Sequence, residues 1–421
     1  MDFIHSKNIF LLTRDTLKLM DSRPMKHGSR VAYLLYKMLQ TQGGYEDFEM
    51  AEFCMLATLH DIGAYPIADL SKPLTFETRT TLPHSIYGYL FLKYLSPFAD
   101  RAKILLNHHV TFMELAERGE KEYAEVTNFL SLAECVDVYR ESLGERFNVQ
   151  SFRPFEGKRF SKQALDVLDK AMVREPILEK LDSEEHEQEL SKLMDNLMFT
   201  NEEKKSLMET IMYCLDFRSY MKVQDTAVCI SICSQLADLL HLDGRTQEVL
   251  YYGALVHDIG MLGIPKEIIE SSRKLTDEEM ELMRGHVELE QKILENRLDP
   301  VSTQIALRHH ERCNGSGYPL GLTGGEMNTP QKILQLADAV TGMINDRPHR
   351  PGMPPEKVRQ ILEKEQAEKA YDPEVIKAFF SQFDLILLQA MTQGKESLRT
   401  NASVISRYQK LEKMMQEQKK K

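Results

Sequence analysis

Two stretches decide the fold: residues 54–63 read CMLATLHDIG, and residues 252–260 read YGALVHDIG. Each is a run of apolar residues with helical spacing that ends in the same four residues, His-Asp-Ile-Gly. A glycine just past an apolar helix is typical of a helix C-terminus, so both His-Asp pairs are predicted at helix ends. The recurrence of the tetrapeptide in the same local context indicates an internal repeat.

Other features recur in the same order after each copy. A single histidine, a histidine doublet and an acidic residue behind Leu-Ala follow in both halves, which predicts a tandem duplication of a module of roughly 180–200 residues. We expect an N-terminal module at residues 1–185 and a C-terminal module at 209–395. The matching residues are His84 and His286, His108-His109 and His309-His310, and Glu134 and Asp338.

Apolar residues at three- and four-residue spacing run through most of the chain and predict an all-α fold, with one helical bundle in each module. Residues 186–208 are charge-dense and predict an exposed helical linker between the modules. Residues 396–421 are charged and end in three lysines, which predicts a solvated C-terminal tail.

The composition limits the function classes. With 42% hydrophobic and 28% charged residues in 421, we expect a folded, soluble protein. A net charge of −11 argues against DNA and RNA, whose binding needs clustered lysine and arginine. No stretch approaches the ~20 apolar residues of a membrane helix and no secretory signal is recognisable, so we expect no membrane contact and a cytoplasmic location. The six cysteines form no Cys-x-x-Cys pair and are expected to be reduced.

Histidines and carboxylates in this order suit a metal centre. Two metal ions bridged by a carboxylate generate hydroxide from water and neutralise charge on a phosphodiester. An adjacent His-Asp pair suits such a site, because Asp258 can bridge two ions while His257 binds one. The C-terminal candidates are His257, Asp258, His286, His309, His310 and Asp338, and the N-terminal ones are His27, His60, Asp61, His84, His108, His109 and Glu134.

One further segment makes a family resemblance specific. Residues 309–319 read HHERCNGSGYP, a histidine doublet followed by a glutamate and then by Gly-Tyr-Pro. Together with HDIGMLGIP at 257–265 and DRPHR at 346–350, this order resembles the HD-GYP branch of the HD superfamily of metal-dependent phosphohydrolases. The N-terminal half resembles the HD superfamily without the Gly-Tyr-Pro motif.

The resemblance implies an all-α bundle that holds two divalent metal ions, iron or manganese, and hydrolyses cyclic di-GMP to pGpG or GMP with a metal-bridged hydroxide. It implies that His257 and Asp258 are catalytic and that Asp225 joins the six C-terminal candidates as a metal ligand. A second pair of ions is a candidate for the N-terminal module. The implied substrate contacts are Gly315, Gly317, Tyr318, Pro319, Arg347 and Arg350.

Both modules depart from the HD-GYP pattern. Asp225 stands where the family has its first ligand histidine, an exchange that hard or borderline metal ions accept. Met261 replaces a lysine that most members have near the phosphate, which argues for weakened catalysis. Met221 stands where some relatives hold a glutamate for a third ion, which favours two ions. The N-terminal module keeps His27, but it has Ala64 in place of the lysine and lacks Gly-Tyr-Pro.

Three functions remain open on the sequence. The first is a cyclic di-GMP phosphodiesterase of the bacterial cytoplasm, with the N-terminal module as a regulatory HD site. The second is a protein that binds a cyclic dinucleotide or a partner protein without hydrolysis. The third is an enzyme that cleaves another nucleotide or phosphate ester in the N-terminal module. Candidate protein partners are a second copy of the chain or a signalling protein.

Overall fold

The structure is a computed structural model that describes residues 4–20, 22–64, 81–217, 220–348 and 350–418. In these ranges the chain forms α-helices and short 3-10 turns, with no β-strand beyond three isolated bridges. The predicted all-α class is therefore confirmed. The chain divides into two compact units: a C-terminal unit built mainly of residues 215–403, and an N-terminal unit of residues 5–214 with the end of the chain.

The N-terminal unit is built from α1 to α11, joined by short loops and 3-10 turns. These helices are α1 (Ser6–Met20), α2 (Ser22–Gln42), α3 (Asp47–Thr58), α4 (Thr81–Leu95), α5 (Lys103–Asn107), α6 (Phe112–Glu117), α7 (Ala124–Leu143), α8 (Lys162–Arg174), α9 (Ile177–Asp182), α10 (Glu185–Leu193) and α11 (Asn201–Asp216).

The C-terminal unit begins with α12 and includes most of the long final helix, α21. Its helices are α12 (Tyr220–Leu239), α13 (Gly244–Val256), α14 (Lys266–Ile269), α15 (Asp277–Arg284), α16 (His286–Leu294), α17 (Pro300–Ala306), α18 (Thr329–Ile344), α19 (Pro355–Ala367), α20 (Pro373–Ser381) and α21 (Phe383–Gln418). Across the described ranges, no single helix has the length and apolar content to cross a membrane, although α20 and α21, bent by 80°, meet both criteria when counted as a pair.

In the N-terminal unit, α2 is central, since α3, α7 and α8 all pack against it. The His60-Asp61 pair follows the end of α3 and leads into a 3-10 turn, Ile62–Ala64, which packs against α4. Glycine is required in that turn, because a Cβ on Gly63 would lie 2.0 Å from the carbonyl oxygen of His84. The close approach of the turn to α4 brings the His-Asp pair next to the following histidine.

The C-terminal unit repeats this local arrangement. Its core forms where α12, α13 and α18 pack on one another. The helix α13 ends directly before His257, and the next 3-10 turn, Ile259–Gly263, packs against α16. A Cβ on Gly260 would lie 1.9 Å from the carbonyl oxygen of His286. Both copies of His-Asp-Ile-Gly therefore make the same glycine-dependent contact with the helix that carries the next histidine.

Residues 186–208 differ from the exposed linker that their charge density predicts. They form α10, a 3-10 turn and the first half of α11, and they belong to the N-terminal unit. His186, Leu190 and Leu207 are buried there. The boundary between the units lies at residues 214 and 215 instead. Charged residues on the outward side of an amphipathic helix produce the same composition as a linker, so composition alone does not separate the two.

The end of the chain also differs from the predicted solvated tail. Residues 396–418 continue α21, and those from Val404 onward belong to the N-terminal unit. The ring of Tyr408 stacks on that of Tyr87 with 4.4 Å between the centroids and 13° between the planes. The last three lysines lie outside the described residues.

Candidate metal centres

Three histidines of the C-terminal unit converge on one point. His286 begins α16, and His309 and His310 lie just after α17. One ring nitrogen from each lies within 4.8 Å of the other two. The Nε2 atoms of His286 and His309 are 3.3 Å apart, and both of these side chains are buried. The structure thus brings three of the predicted ligands together.

The backbone determines which ring nitrogen faces this cluster. The Nδ1–H groups of His257, His286 and His309 donate to the carbonyl oxygens three residues earlier, at 2.8, 2.7 and 2.6 Å. A carbonyl oxygen only accepts, so Nδ1 carries a proton in each ring, and in the neutral rings of His286 and His309 Nε2 keeps its lone pair. The lone pairs of His286 and His309 therefore face each other without a proton between them. A metal cation would convert this repulsion into coordination, so the cluster fits a metal ion.

Asp258 and Asp338 add negative charge beside the histidines. His257 Nε2 lies 3.8 Å from Asp258 Oδ2 and 3.9 Å from Asp338 Oδ1. The second oxygen of Asp258 lies 4.0 Å from His286 Nε2, and that of Asp338 lies 3.3 Å from His310 Nδ1. Asp258 therefore stands between His257 and His286, which is the position that the predicted bridging carboxylate requires.

Burial and crowding affect the charge of these imidazoles. The pKa of His309 is well below its ordinary value, because burial disfavours the charged form and because His310 and His257 add positive charge nearby. Burial also opposes a charge on His257, but its neighbours Cys229, Asp258 and Asp338 raise its pKa to about 9. A neutral imidazole is the form that binds metal, and carboxylates that attract a proton also attract a cation.

Asp225 does not have its oxygens free for this cluster. Its Oδ1 accepts a hydrogen bond from Asn345 Nδ2 at 2.7 Å, and its Oδ2 accepts one from Arg347 Nη1 at 2.5 Å. Asp225, predicted as a metal ligand, and Arg347, predicted as a substrate contact, form an ion pair with each other in the structure. The partners are far apart in the chain, so no local pattern could indicate the pair.

A buried carboxylate folds the Gly-Tyr-Pro loop back toward the histidines. Glu311 is fully buried, and its two oxygens accept hydrogen bonds from the backbone N–H groups of Leu320 at 2.7 Å and Leu322 at 2.9 Å. Both donors lie just after Gly-Tyr-Pro in the chain. The glutamate of the motif therefore serves to hold the loop beside the histidine doublet that precedes it.

Glycines allow the loop to make this turn. Gly315 has a φ of +77°, and a Cβ on Gly317 would lie 2.4 Å from the Cα of Glu311. The N–H of Tyr318 donates to the carbonyl oxygen of His310 at 3.2 Å, and the two rings lie 4.7 Å apart at 34°. Tyr318 therefore forms a wall of the metal cluster, and Pro319 follows it at the exposed end of the turn.

The arginines near the loop have different partners from those expected. The guanidinium of Arg350, a predicted substrate contact, donates to the backbone carbonyls of Gly342 and Met343 and so holds its own loop. Arg284, which the sequence analysis missed, places its guanidinium 5.2 Å from the centre of the Tyr318 ring. Its position in the last turn of a charged helix gave no sign of this contact.

The N-terminal unit contains a similar cluster and a second one beside it. Asp61 lies between the two, with Oδ1 3.4 Å from His84 Nε2 and Oδ2 3.3 Å from His60 Nε2. One carboxylate thus connects two groups of three ligands, as a bridge between two ions would. In each group the ligand atoms lie within 4.8 Å of one another; the groups are His84, His108 and His109, and His27, His60 and Glu134.

The first of these groups also has facing nitrogens. His84 Nε2 lies 3.2 Å from His108 Nε2 and 2.9 Å from His109 Nε2. Burial and neighbouring histidines hold the pKa of His108 and of His109 well below the ordinary value, so both rings are neutral near pH 7. The Nδ1–H of His108 donates to the carbonyl oxygen of Leu105 at 2.6 Å, which leaves its Nε2 as an acceptor. This unit therefore fits metal ions on the same grounds.

Asp137 is a buried residue of this centre that the sequence analysis missed. It accepts hydrogen bonds from His27 Nδ1 at 2.8 Å and from Arg30 Nε at 2.6 Å. Burial would raise the pKa of Asp137, but these two donors lower it. The bond to Asp137 engages Nδ1 of His27 and leaves Nε2 available as a ligand. Burial raises the pKa of Glu134, the carboxylate of the same ligand group, to about 7. Asp137 lies three residues after Glu134 on α7, and this spacing could have indicated its role in the sequence.

Glu290 is the second missed residue, and it belongs to the C-terminal unit. It follows His286 by four positions, where the N-terminal repeat has Gly88 after His84. Its carboxyl group is fully buried, and neither oxygen has a hydrogen-bond partner among the described residues. Burial, and then the charge of Asp258, raise its pKa well above the ordinary value. A direct comparison of the two repeats would have exposed this substitution.

Comparison with known proteins agrees with this fold. Residues 205–375 match the HD domain family. The 3′3′-cGAMP-specific phosphodiesterase 1 of Vibrio cholerae is 26% identical over 386 residues, which cover 83% of this chain and 85% of that protein. A cyclic di-GMP phosphodiesterase of Thermotoga maritima is 38% identical over 133 residues, which cover 31% of this chain and 36% of that protein.

A solved structure extends the comparison to both units. The crystal structure of a cyclic GMP-AMP-specific phosphodiesterase of V. cholerae matches 91% of this chain and 98% of its own with a TM-score of 0.58 and 17% identity, a likeness of fold. An all-α fold with a histidine and aspartate metal centre defines an HD-domain protein. The histidine doublet, the buried glutamate and the Gly-Tyr-Pro loop are more specific: they lie within the residues that match the HD domain family, and they are similar to its HD-GYP branch.

Proposed function

We propose that the chain is a metal-dependent phosphodiesterase that hydrolyses a cyclic dinucleotide in its C-terminal unit. The observation that carries the proposal is the contact between the metal cluster and the Gly-Tyr-Pro loop, with the Tyr318 ring 4.7 Å from that of His310. A nucleotide that touches Tyr318 would have its phosphate next to the metal ligands. The N-terminal unit, in contrast, continues after His109 into α6 and has no Gly-Tyr-Pro sequence.

The roles of the residues follow from their positions. A bound metal ion would supply the Lewis acid that polarises the phosphodiester and lowers the pKa of water. Arg284 offers a planar cation for a phosphate oxygen beside Tyr318, and the tyrosine ring offers a surface for a base. Asp258 stands between His257 and His286 and is the central carboxylate of the proposal. The metal would be held by His286, His309, His310, Asp258 and Asp338.

The identity of the nucleotide has two candidates. Cyclic di-GMP is the substrate that the Gly-Tyr-Pro motif predicts, and the matching Thermotoga relative is a cyclic di-GMP phosphodiesterase. The second candidate is 3′3′-cGAMP, because the relative that matches over 83% of this chain is specific for it. The product, pGpG or GMP, the bacterial cytoplasmic location and the protein partner stay predictions.

The competing proposal is binding without hydrolysis. It is favoured by Met261, which lies in the 3-10 turn after the His-Asp pair and supplies no cation for the phosphate. For the N-terminal unit, we propose a second HD module with its own metal ions, because it has two groups of ligands joined by Asp61. Without the loop, this module is a regulatory site or an enzyme for another phosphate ester.

The test is hydrolysis by the full chain loaded with Mn²⁺ or Fe²⁺. Cyclic di-GMP and 3′3′-cGAMP are supplied at equal concentration, and the products are separated by chromatography. Asp258→Ala and Asp61→Ala are a matched pair, since each removes the central carboxylate of one unit. We expect wild type and Asp61→Ala to hydrolyse one of the two nucleotides and Asp258→Ala to be inactive. Binding without turnover by metal-loaded wild type, or loss of turnover in Asp61→Ala alone, would contradict the proposal.

A further inference from the structure

The two units differ at one part of the metal centre. In the N-terminal unit, His27 groups with His60 and Glu134 as a second set of ligands. At the corresponding place in the C-terminal unit stands Asp225, whose two oxygens accept hydrogen bonds from Asn345 and Arg347. Within the described part of the C-terminal unit, His286, His309 and His310 are the single group of three ligands within 4.8 Å.

The positive charge beside Asp225 is already part of the chain. Arg347 is half-buried; burial disfavours its charge, but Asp225, Asp338 and Asp258 together raise its pKa. Its guanidinium donates to Asp225 Oδ2 at 2.5 Å, so it occupies the carboxylate that stands where the family has its first metal ligand. Arginine stays protonated in proteins, so this positive charge is permanent. A divalent ion at the same place would be repelled by the guanidinium and would compete with it for Asp225.

We infer that the C-terminal centre binds one divalent ion, at His286, His309 and His310, and that the Arg347–Asp225 ion pair takes the place of the second. The N-terminal centre, which has two groups of ligands and Asp61 between them, binds two. The chain then holds three ions. This inference deepens the proposed function, because it specifies the metal content of the same centre, but it does not depend on which nucleotide is cleaved.

The inference is tested by the metal content of the full chain. Protein loaded with Mn²⁺ and freed of excess metal is analysed by plasma mass spectrometry and by electron paramagnetic resonance. Two Mn²⁺ ions that share Asp61 are magnetically coupled, whereas a single ion gives an uncoupled six-line spectrum. We expect three ions in wild type, one of them uncoupled. The double variant His60→Ala with His108→Ala should keep only the uncoupled ion, and His309→Ala with His310→Ala should keep only the coupled pair.

A gain of metal provides the opposite test. Asp225→His with Arg347→Gln restores an imidazole and removes the competing cation, so the content should rise from three to four ions. Arg359→Gln is the matched control, because its guanidinium packs 4.1 Å from the Phe383 ring on the same unit, and its content should stay at three.

Each outcome decides the matter. The inference would be overturned by four ions in wild type. It would also be overturned if the variant His60→Ala with His108→Ala, which keeps the C-terminal centre, gave a coupled spectrum or bound no ion. If a variant does not fold, the ratio of coupled to uncoupled Mn²⁺ in wild type still gives the answer, which we expect to be two to one. One ion bound in the C-terminal unit without hydrolysis of either nucleotide would contradict the proposed function and leave this inference standing.

Discussion

The carboxylate of Glu311 accepts a hydrogen bond from the backbone N–H of Leu320 at 2.7 Å and thereby ties the Gly-Tyr-Pro loop to the histidine doublet. The other oxygen makes a similar bond to Leu322. Because the carboxylate is fully buried, both bonds are shielded from water. The position of Tyr318 beside the histidine cluster thus depends on a residue outside the set of candidate metal ligands.

Replacing this carboxylate should release the loop. Hydrogen bonds to a charged group contribute about 1.5–3 kcal/mol each, so Glu311→Ala should lower kcat/KM for the cyclic dinucleotide by more than about tenfold. Bound Mn²⁺ should be unchanged, since the histidines remain. Glu326→Ala is the control. Glu326 also accepts a hydrogen bond from a backbone N–H of the same segment, that of Thr323, but its side chain is exposed. Equal losses in both variants would show that the loop is not held by Glu311.

The close approach at Gly317 leads to a second prediction. Gly317→Ala places a Cβ 2.4 Å from the Cα of Glu311, so the backbone has to shift and the C-terminal unit should lose about 1–3 kcal/mol of stability. Gly325→Ala is the matched control, because no atom lies within 4 Å of its added Cβ. Denaturant unfolding and nucleotide turnover are measured for both. Wild-type stability in Gly317→Ala would contradict the loop geometry.

The buried carboxyl of Glu290 should cost stability in metal-free protein at neutral pH. Its pKa is raised by burial, so the folded chain keeps the proton, whereas the unfolded chain releases it above about pH 4.3. Stability is therefore lost as the pH rises above that value. Glu290→Gln should remove this loss and gain about 1–3 kcal/mol at pH 7, with the gain vanishing below about pH 4.

The control for Glu290 is Glu288→Gln, an exposed carboxylate on the same helix. Unfolding by urea in the presence of a chelator is followed between pH 4 and pH 8 for both variants. A gain that is the same at all pH values, or the same in both variants, would contradict the assignment of the cost to ionisation of Glu290.

The end of α21 should stabilise the N-terminal unit. Tyr408→Ala removes the ring that stacks on Tyr87, and it should lower the stability of this unit by about 1 kcal/mol or more. It should also speed proteolysis after residue 403, because the helix end is then less firmly packed. Lys410→Ala, an exposed neighbour, should change neither. A protease-sensitive end in wild type would instead agree with a solvated tail.

The all-α fold and most candidate ligands could be predicted, because both depend on local or repeated patterns. His286, His309 and His310 stand out by their order in two repeats, and the structure brings them within reach of one ion. The prediction of an exposed linker at residues 186–208 was wrong because it rested on a local property alone. Charge density is a local property, but whether the apolar side of α10 is covered depends on distant helices.

The sequence by itself determined the helical class, the repeat of His-Asp-Ile-Gly and the Gly-Tyr-Pro motif, since each is written in consecutive residues. Only the tertiary structure decided that Asp225 pairs with Arg347, that Glu311 holds the loop and that Glu290 is buried without a partner. The physical reason is that a side chain's role depends on its neighbours in space. Arg347, the partner of Asp225, lies 122 residues further along the chain, and a periodic sequence pattern does not indicate a contact between residues so far apart.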